Sequence, residues 1–165
     1  MTVLVSVSVS VFAQGEVNFN TVGKIILTAP EKGGVPIPTT FAGGTVMGAL
    51  FYAGPGVTDP STFTQAGSAV PAGPLAGWLS GGTRVLDGIQ IGGRANVQVR
   101  VWDTADPSHV GESVIIPLRT GGYPSLGTNL APLFTGFQMN VVPEPSVFAL
   151  GALGAGALLL LRRRK

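Results

Sequence analysis

The chain contains no cysteine and one histidine, and only 11% of its 165 residues are charged and 7% aromatic. The missing cysteine excludes disulfide staples, thiol catalysis and thiolate metal sites together. With His109 alone, a histidine pair for zinc is also excluded. Charge is scarce in a way that bears on partners. The formal net charge of +2 comes from the last four residues, because positions 14–142 carry six cations against seven acids, a net of −1. The positive total gives no case for nucleic acid, which requires a basic face on the folded domain itself.

Helical periodicity is almost absent from the middle of the chain, where most of the chain's 25 glycines and 13 prolines fall and punctuate it densely. That is an all-β pattern. The strongest segment is 95–103, where Val97, Val99 and Val101 fall on one face and Asn96, Gln98, Arg100 and Trp102 on the other. Further strands are expected at 15–20, 45–53, 62–69, 77–86, 113–118 and 136–142. Segments 30–44, 54–60, 71–74 and 121–132 read as loops because Gly and Pro dominate them. About seven or more short strands separated by turns predict one β-sandwich domain over 14–142, Ig-like or jelly-roll-like. A domain of this size can bury a core without staples.

Both ends read as addresses. Pro143-Glu144-Pro145 precedes an apolar run, 146–161, and then Arg162-Arg163-Arg164-Lys165. Clustered cations are costly to move through hydrocarbon, so the tail holds its end on the cytoplasmic side and the domain is expected outside. Sixteen residues in an α-helix reach about 24 Å, short of a hydrocarbon core of roughly 30 Å. Glu144 and the two prolines place the triplet at the outer interface, where its extended backbone is open to an enzyme. The alternatives are an ordinary tail anchor and a buried core helix. At the other end, 1–13 is apolar and closes on Val11-Phe12-Ala13, with small residues where a signal peptidase looks. No Lys or Arg precedes Lys24, so the stretch reads as a truncated signal-peptide-like segment. Its Val/Ser alternation is also that of an edge strand.

The C-terminal arrangement resembles the PEP-CTERM sorting signal of exported bacterial proteins: a Pro-Glu-Pro triplet, a short hydrophobic helix and an Arg-rich tail, read by the membrane peptidase exosortase. Gly15-Glu16-Val17-Asn18-Phe19-Asn20, Ala49-Leu50-Phe51-Tyr52-Ala53-Gly54-Pro55 and Val97-Gln98-Val99-Arg100-Val101-Trp102-Asp103 extend the likeness. Together they are similar to extracytoplasmic PEP-CTERM proteins of Verrucomicrobia-type bacteria. The resemblance implies export, a β-rich domain and exosortase as partner, with a membrane-anchored stage before processing. It brings no catalytic residues and no cofactor.

The interior offers little chemistry. His109 has Ser108, Asp106 and Asp103 close in sequence, but proximity in a loop is not triad geometry. Asp103, Asp106 and Glu112 are a weak calcium candidate, since loop carboxylates suit Ca²⁺, although Asp is also an ordinary turn former. Asp87, Asp103 and Glu112 are the acids from which a glycosidase pair would be drawn. The paired glycines lack the Lys-Ser/Thr of a phosphate loop. Trp78 and Trp102, with Tyr52 and Tyr123, would stack on sugar rings if exposed and would fill core or corner positions if not. Two readings result. One is a non-enzymatic surface or extracellular-matrix protein, sorted by exosortase, with extracellular polysaccharide as a partner. The other is a secreted carbohydrate-binding or glycan-hydrolysing module.

Overall fold

The computed structural model describes residues 13–27, 34–41, 43–73, 75–106 and 108–141. The signal-like segment up to residue 12, the Pro-Glu-Pro triplet, the apolar run and the basic tail lie outside them. Among the described residues no helix is long and apolar enough to cross a membrane.

The fold is all-β. In chain order the strands are β1 (Gln14–Asn20), β2 (Ile25–Leu27), β3 (Thr40–Phe41), β4 (Gly44–Ala53), β5 (Thr64–Gln65), β6 (Val70–Pro71), β7 (Ser80–Gln90), β8 (Arg94–Asp103), β9 (His109–Glu112), β10 (Ile116–Arg119), β11 (Thr128–Asn129) and β12 (Phe137–Val141). They form two sheets. The smaller runs β11-β1-β7; the larger runs β2-β12-β9-β8-β4-β3, with β10 also on β8 and β5 and β6 also on β4. Both sheets are mixed, because β1 pairs in parallel with β11 and β12 in parallel with β2.

Strand β8 is central because both of its faces bury side chains. Val97, Val99 and Val101 are at most 1% exposed and face Leu50 and Tyr52 of β4 across the core side. On β1 every second residue is buried, which puts Val17 and Phe19 on the inner face. One hydrophobic cluster takes Val17, Phe19 and Leu86 from the small sheet and Leu50, Val97, Val99 and Val101 from the large one. The two sheets therefore enclose a single core, as a sandwich does. Gly48 permits close packing within it: a Cβ at that position would collide with the side chain of Leu79.

The chain crosses between the sheets at the turn from β7 to β8. The Gly93 amide donates to the Gln90 carbonyl at 2.9 Å, and Gly92 takes φ +71°, a left-handed conformation that glycine adopts without a Cβ penalty. The end of β10 is fastened to the same turn. Thr120 Oγ1 donates to the Gln90 carbonyl at 2.7 Å, and the backbones of Thr120 and Gly93 bond at 2.9 Å. One residue on, Gly121 exchanges two backbone hydrogen bonds with Glu16 of β1, at 2.8 and 2.9 Å. Within three residues the chain is thus bonded to both sheets, which makes a stiff corner.

Several expected bounds are corrected: the strand at 113–118 starts at Ile116, and the segments 30–44 and 121–132 expected as loops carry β3 and β11. Segment 62–69 carries only the two residues of β5, because Asp59 caps a short 3-10 turn, Pro60–Thr62, by accepting from the Ser61 amide at 3.0 Å. The strand expected at 77–86 starts later and runs to Gln90, since Gly77 and Trp78 are bound in turns to Ile37, Leu75 and Gly73.

Candidate functional site

The outer face of the large sheet is where the polar side chains of β8 lie. Asn96, Gln98, Arg100 and Trp102 alternate with the core valines and point the other way. They are largely covered. Asn96 Nδ2 donates to the Val57 carbonyl at 2.7 Å, and Arg100 donates through Nη2 to the Pro60 carbonyl, so segment 54–60 is laid across this face. The Arg100 guanidinium also stacks 4.2 Å from the centre of the Phe51 ring, donates to Gln98 Oε1 at 2.9 Å and stands 3.5 Å from Glu112. This network holds a loop to a sheet and leaves Arg100 committed.

The expected aromatic platform is not laid out as a bare surface. Trp102 is half-buried, opposite Met47 of β4 and Val110 of β9. Trp78 is half-buried too, packed near Gly23 and Gly73 at the turns around the start of β7. Tyr52 is in the core with its hydroxyl donating to the Asp87 carbonyl at 3.3 Å, whereas Tyr123 is 88% exposed on a loop.

The acids are dispersed. Asp103 belongs to the core-facing side of β8 and is 1% exposed; its Oδ1 accepts from the amides of Ala105 and Asp106, at 2.7 and 3.1 Å. Its buried Oδ2 has no hydrogen-bond partner among the described residues. Glu112 lies on the opposite face, with Arg100, and Asp87 lies on the smaller sheet. The weak calcium candidate Asp103, Asp106 and Glu112 is therefore split by the sheet. Among the described residues no three His, Asp or Glu side chains gather as a metal site.

Ser108, His109 and Asp106 do meet, but in the wrong order for nucleophilic catalysis. The Ser108 hydroxyl donates to Asp106 at 2.7 Å, and His109 Nδ1 is 2.9 Å from the same carboxylate and 3.4 Å from Ser108 Oγ. In a working triad the imidazole lies between acid and hydroxyl and accepts the hydroxyl proton. Here the carboxylate takes it. The Ser108 hydroxyl and amide, with a smaller contribution from His109, hold the Asp106 carboxyl below its ordinary pKa.

A concave site lies beside the corner where the sheets join. A cleft of about 440 Å³ is lined by Pro55, Gly56, Arg94, Asn96, Pro117 and Arg119, together with neighbouring core residues. The β8/β10 register sets Arg94 directly opposite Arg119, and Pro117 opposite Asn96. All four project from the outer face, because Ala95 and Leu118, which alternate with them, are buried in the core. Neither arginine stands out in the sequence. Twenty-five positions separate them, and only strand register brings them together. Comparison with known proteins supplies no template for the chain: no family model, no curated protein and no solved structure matches it.

Proposed function

We propose that the chain is an exported, non-enzymatic surface or extracellular-matrix protein, delivered by its C-terminal signal and cut by exosortase near that signal. The observation that carries this reading is the succession Pro143-Glu144-Pro145, the apolar run 146–161 and the cationic tail Arg162 to Lys165. An apolar stretch of that length closed by four cations partitions into a bilayer and stops there. The signal-like segment 1–13 is consistent with passage across the membrane. A domain that folds outside the cell without cysteine needs a packed core, and the cluster shared by the two sheets fits that need. In this reading the scaffold is an Ig-like or jelly-roll-like sandwich elaborated by two parallel pairings. The dispersal of Asp87, Asp103 and Glu112 favours binding over hydrolysis as the domain's task.

The test is intact mass and location of the protein in a host with and without exosortase. Loss of the tail only where the peptidase is present is the expected result, and Glu144→Ala should abolish that loss while leaving the domain folded. An intact, membrane-held tail under both conditions would leave a simple anchored domain and end the sorting reading.

A further inference from the structure

We infer that the cleft at the corner of the sandwich binds the carboxylate groups of an acidic polysaccharide, with Arg94 and Arg119 as the paired cations. Like charges directly across an antiparallel pair repel and destabilise the sheet. Such a pair calls for an explanation, and the usual one is missing. Among the described residues neither guanidinium has a carboxylate within ion-pair distance; the ion pairs present are Arg100–Glu112 and His109–Asp106. An oxyanion between the two forks would cancel the repulsion, since guanidinium presents planar paired donors that match a carboxylate.

The surroundings are built to hold that geometry. Arg119 donates through Nη1 to the Gly92 carbonyl at 3.2 Å, and its neighbour Thr120 is fastened to the turn from β7 to β8. Asn96 is held by the Val57 carbonyl, which fixes its amide at the floor of the cleft. The cleft volume falls within the range of about 300–1,000 Å³ typical of small-molecule sites. Its chemistry decides between ligands. A bare phosphate would use only the two arginines, whereas a uronate ring would also lay its C–H surface on Pro55 and Pro117 and offer hydroxyls to Asn96. Nucleic acid is a poor fit, because it requires a stripe of cations and the domain has a net charge of −1.

The anion site stands on geometry alone; naming a polysaccharide rests on the export reading above. Full-length protein in detergent is titrated with oligogalacturonate, dextran sulfate, inorganic phosphate and neutral dextran by calorimetry, for wild type and for Arg94→Gln, Arg119→Gln and the double variant. Oligogalacturonate should bind wild type, weaken about tenfold in each single variant, vanish in the double variant and weaken as salt rises, because the pair is exposed. Neutral dextran should not bind. Backbone NMR of the wild type gives a readout that does not depend on the variants folding: oligogalacturonate should shift the amides of Arg94, Asn96 and Arg119. The inference is overturned by wild-type affinity in the double variant, by shifts confined to other regions, by silence towards oligogalacturonate, or by binding of sulfate or phosphate alone. Normal tail processing with no glycan binding would sink this inference only; glycan binding with no processing would sink the sorting reading only.

Discussion

At the scale of single residues, the polar groups that matter most are those with no access to water. Thr21 is fully buried at the end of β1, where its hydroxyl donates to the Gly77 carbonyl at 3.2 Å and accepts from the Leu79 amide at 2.9 Å. That one oxygen satisfies two backbone groups and fixes Leu79, the side chain that packs onto Gly48. Replacing Thr21 with Val keeps the shape and removes both bonds, leaving a buried donor and a buried acceptor unmet. Unsatisfied groups of this kind cost about 1–3 kcal/mol each, so Thr21→Val should lower the urea midpoint markedly, while Thr21→Ser should hold most of it. Neither role was legible beforehand, because Thr21 stands in a Gly-flanked turn and its partners are 56 and 58 positions away.

At the scale of elements, the long alternating strands were legible and the short ones were not. Strands β1, β4, β8 and β12 each carry enough apolar residues at period two to announce a buried face. By contrast, β9 and β2 have four and three residues, too few to show a period, and they become strands by pairing with β8 and β12. Parallel pairing is equally silent in a sequence, since it depends on which distant segment arrives. Arg100 illustrates how one side chain positions a whole element. Its place in the alternation puts it on the polar outer face of β8, and there it fastens segment 54–60 to the sheet through the Pro60 carbonyl while stacking on Phe51. Arg100→Ala should cost about 1–3 kcal/mol, from a charged hydrogen bond and a cation–π contact on a partly exposed side chain. Hydrogen exchange should then speed up across residues 54–63, with the core of β8 still protected; uniform acceleration would mean that the loop is not the element Arg100 holds. The candidate site was equally hidden: the Pro-Glu-Pro triplet proposed as a sorting signal is contiguous and can be read directly, whereas the Arg94/Arg119 pair exists only once β10 has docked in register.

For the whole molecule, stability should be bounded in pH by groups at opposite ends of the scale. Burial, reinforced by the Asp87 charge, raises the Tyr52 phenol above its ordinary pKa of about 10, against a smaller opposing effect of its bond to the Asp87 carbonyl. A raised pKa in the folded state means that its stabilisation is complete below the unfolded value and is lost as pH rises through the folded one. Asp59 and Asp106 have the opposite sign: hydrogen bonds from Ser61 and Ser108 lower both, so their stabilisation is present above the ordinary carboxyl range and disappears as pH falls through the folded values. Urea midpoints should therefore decline at both extremes, and Tyr52→Phe should flatten the alkaline decline alone. An unchanged alkaline limb in that variant would assign it to another group. A last consequence concerns force. Strand β12 is gripped on both flanks, by β2 running parallel and by β9 running antiparallel, with Met139 shared between the two ladders. Tension entering the chain beyond Val141 acts along the strand axis and loads both ladders in shear, so their bonds bear it jointly instead of peeling open in turn. Strand β12 is therefore placed to bear load applied from its C-terminal side.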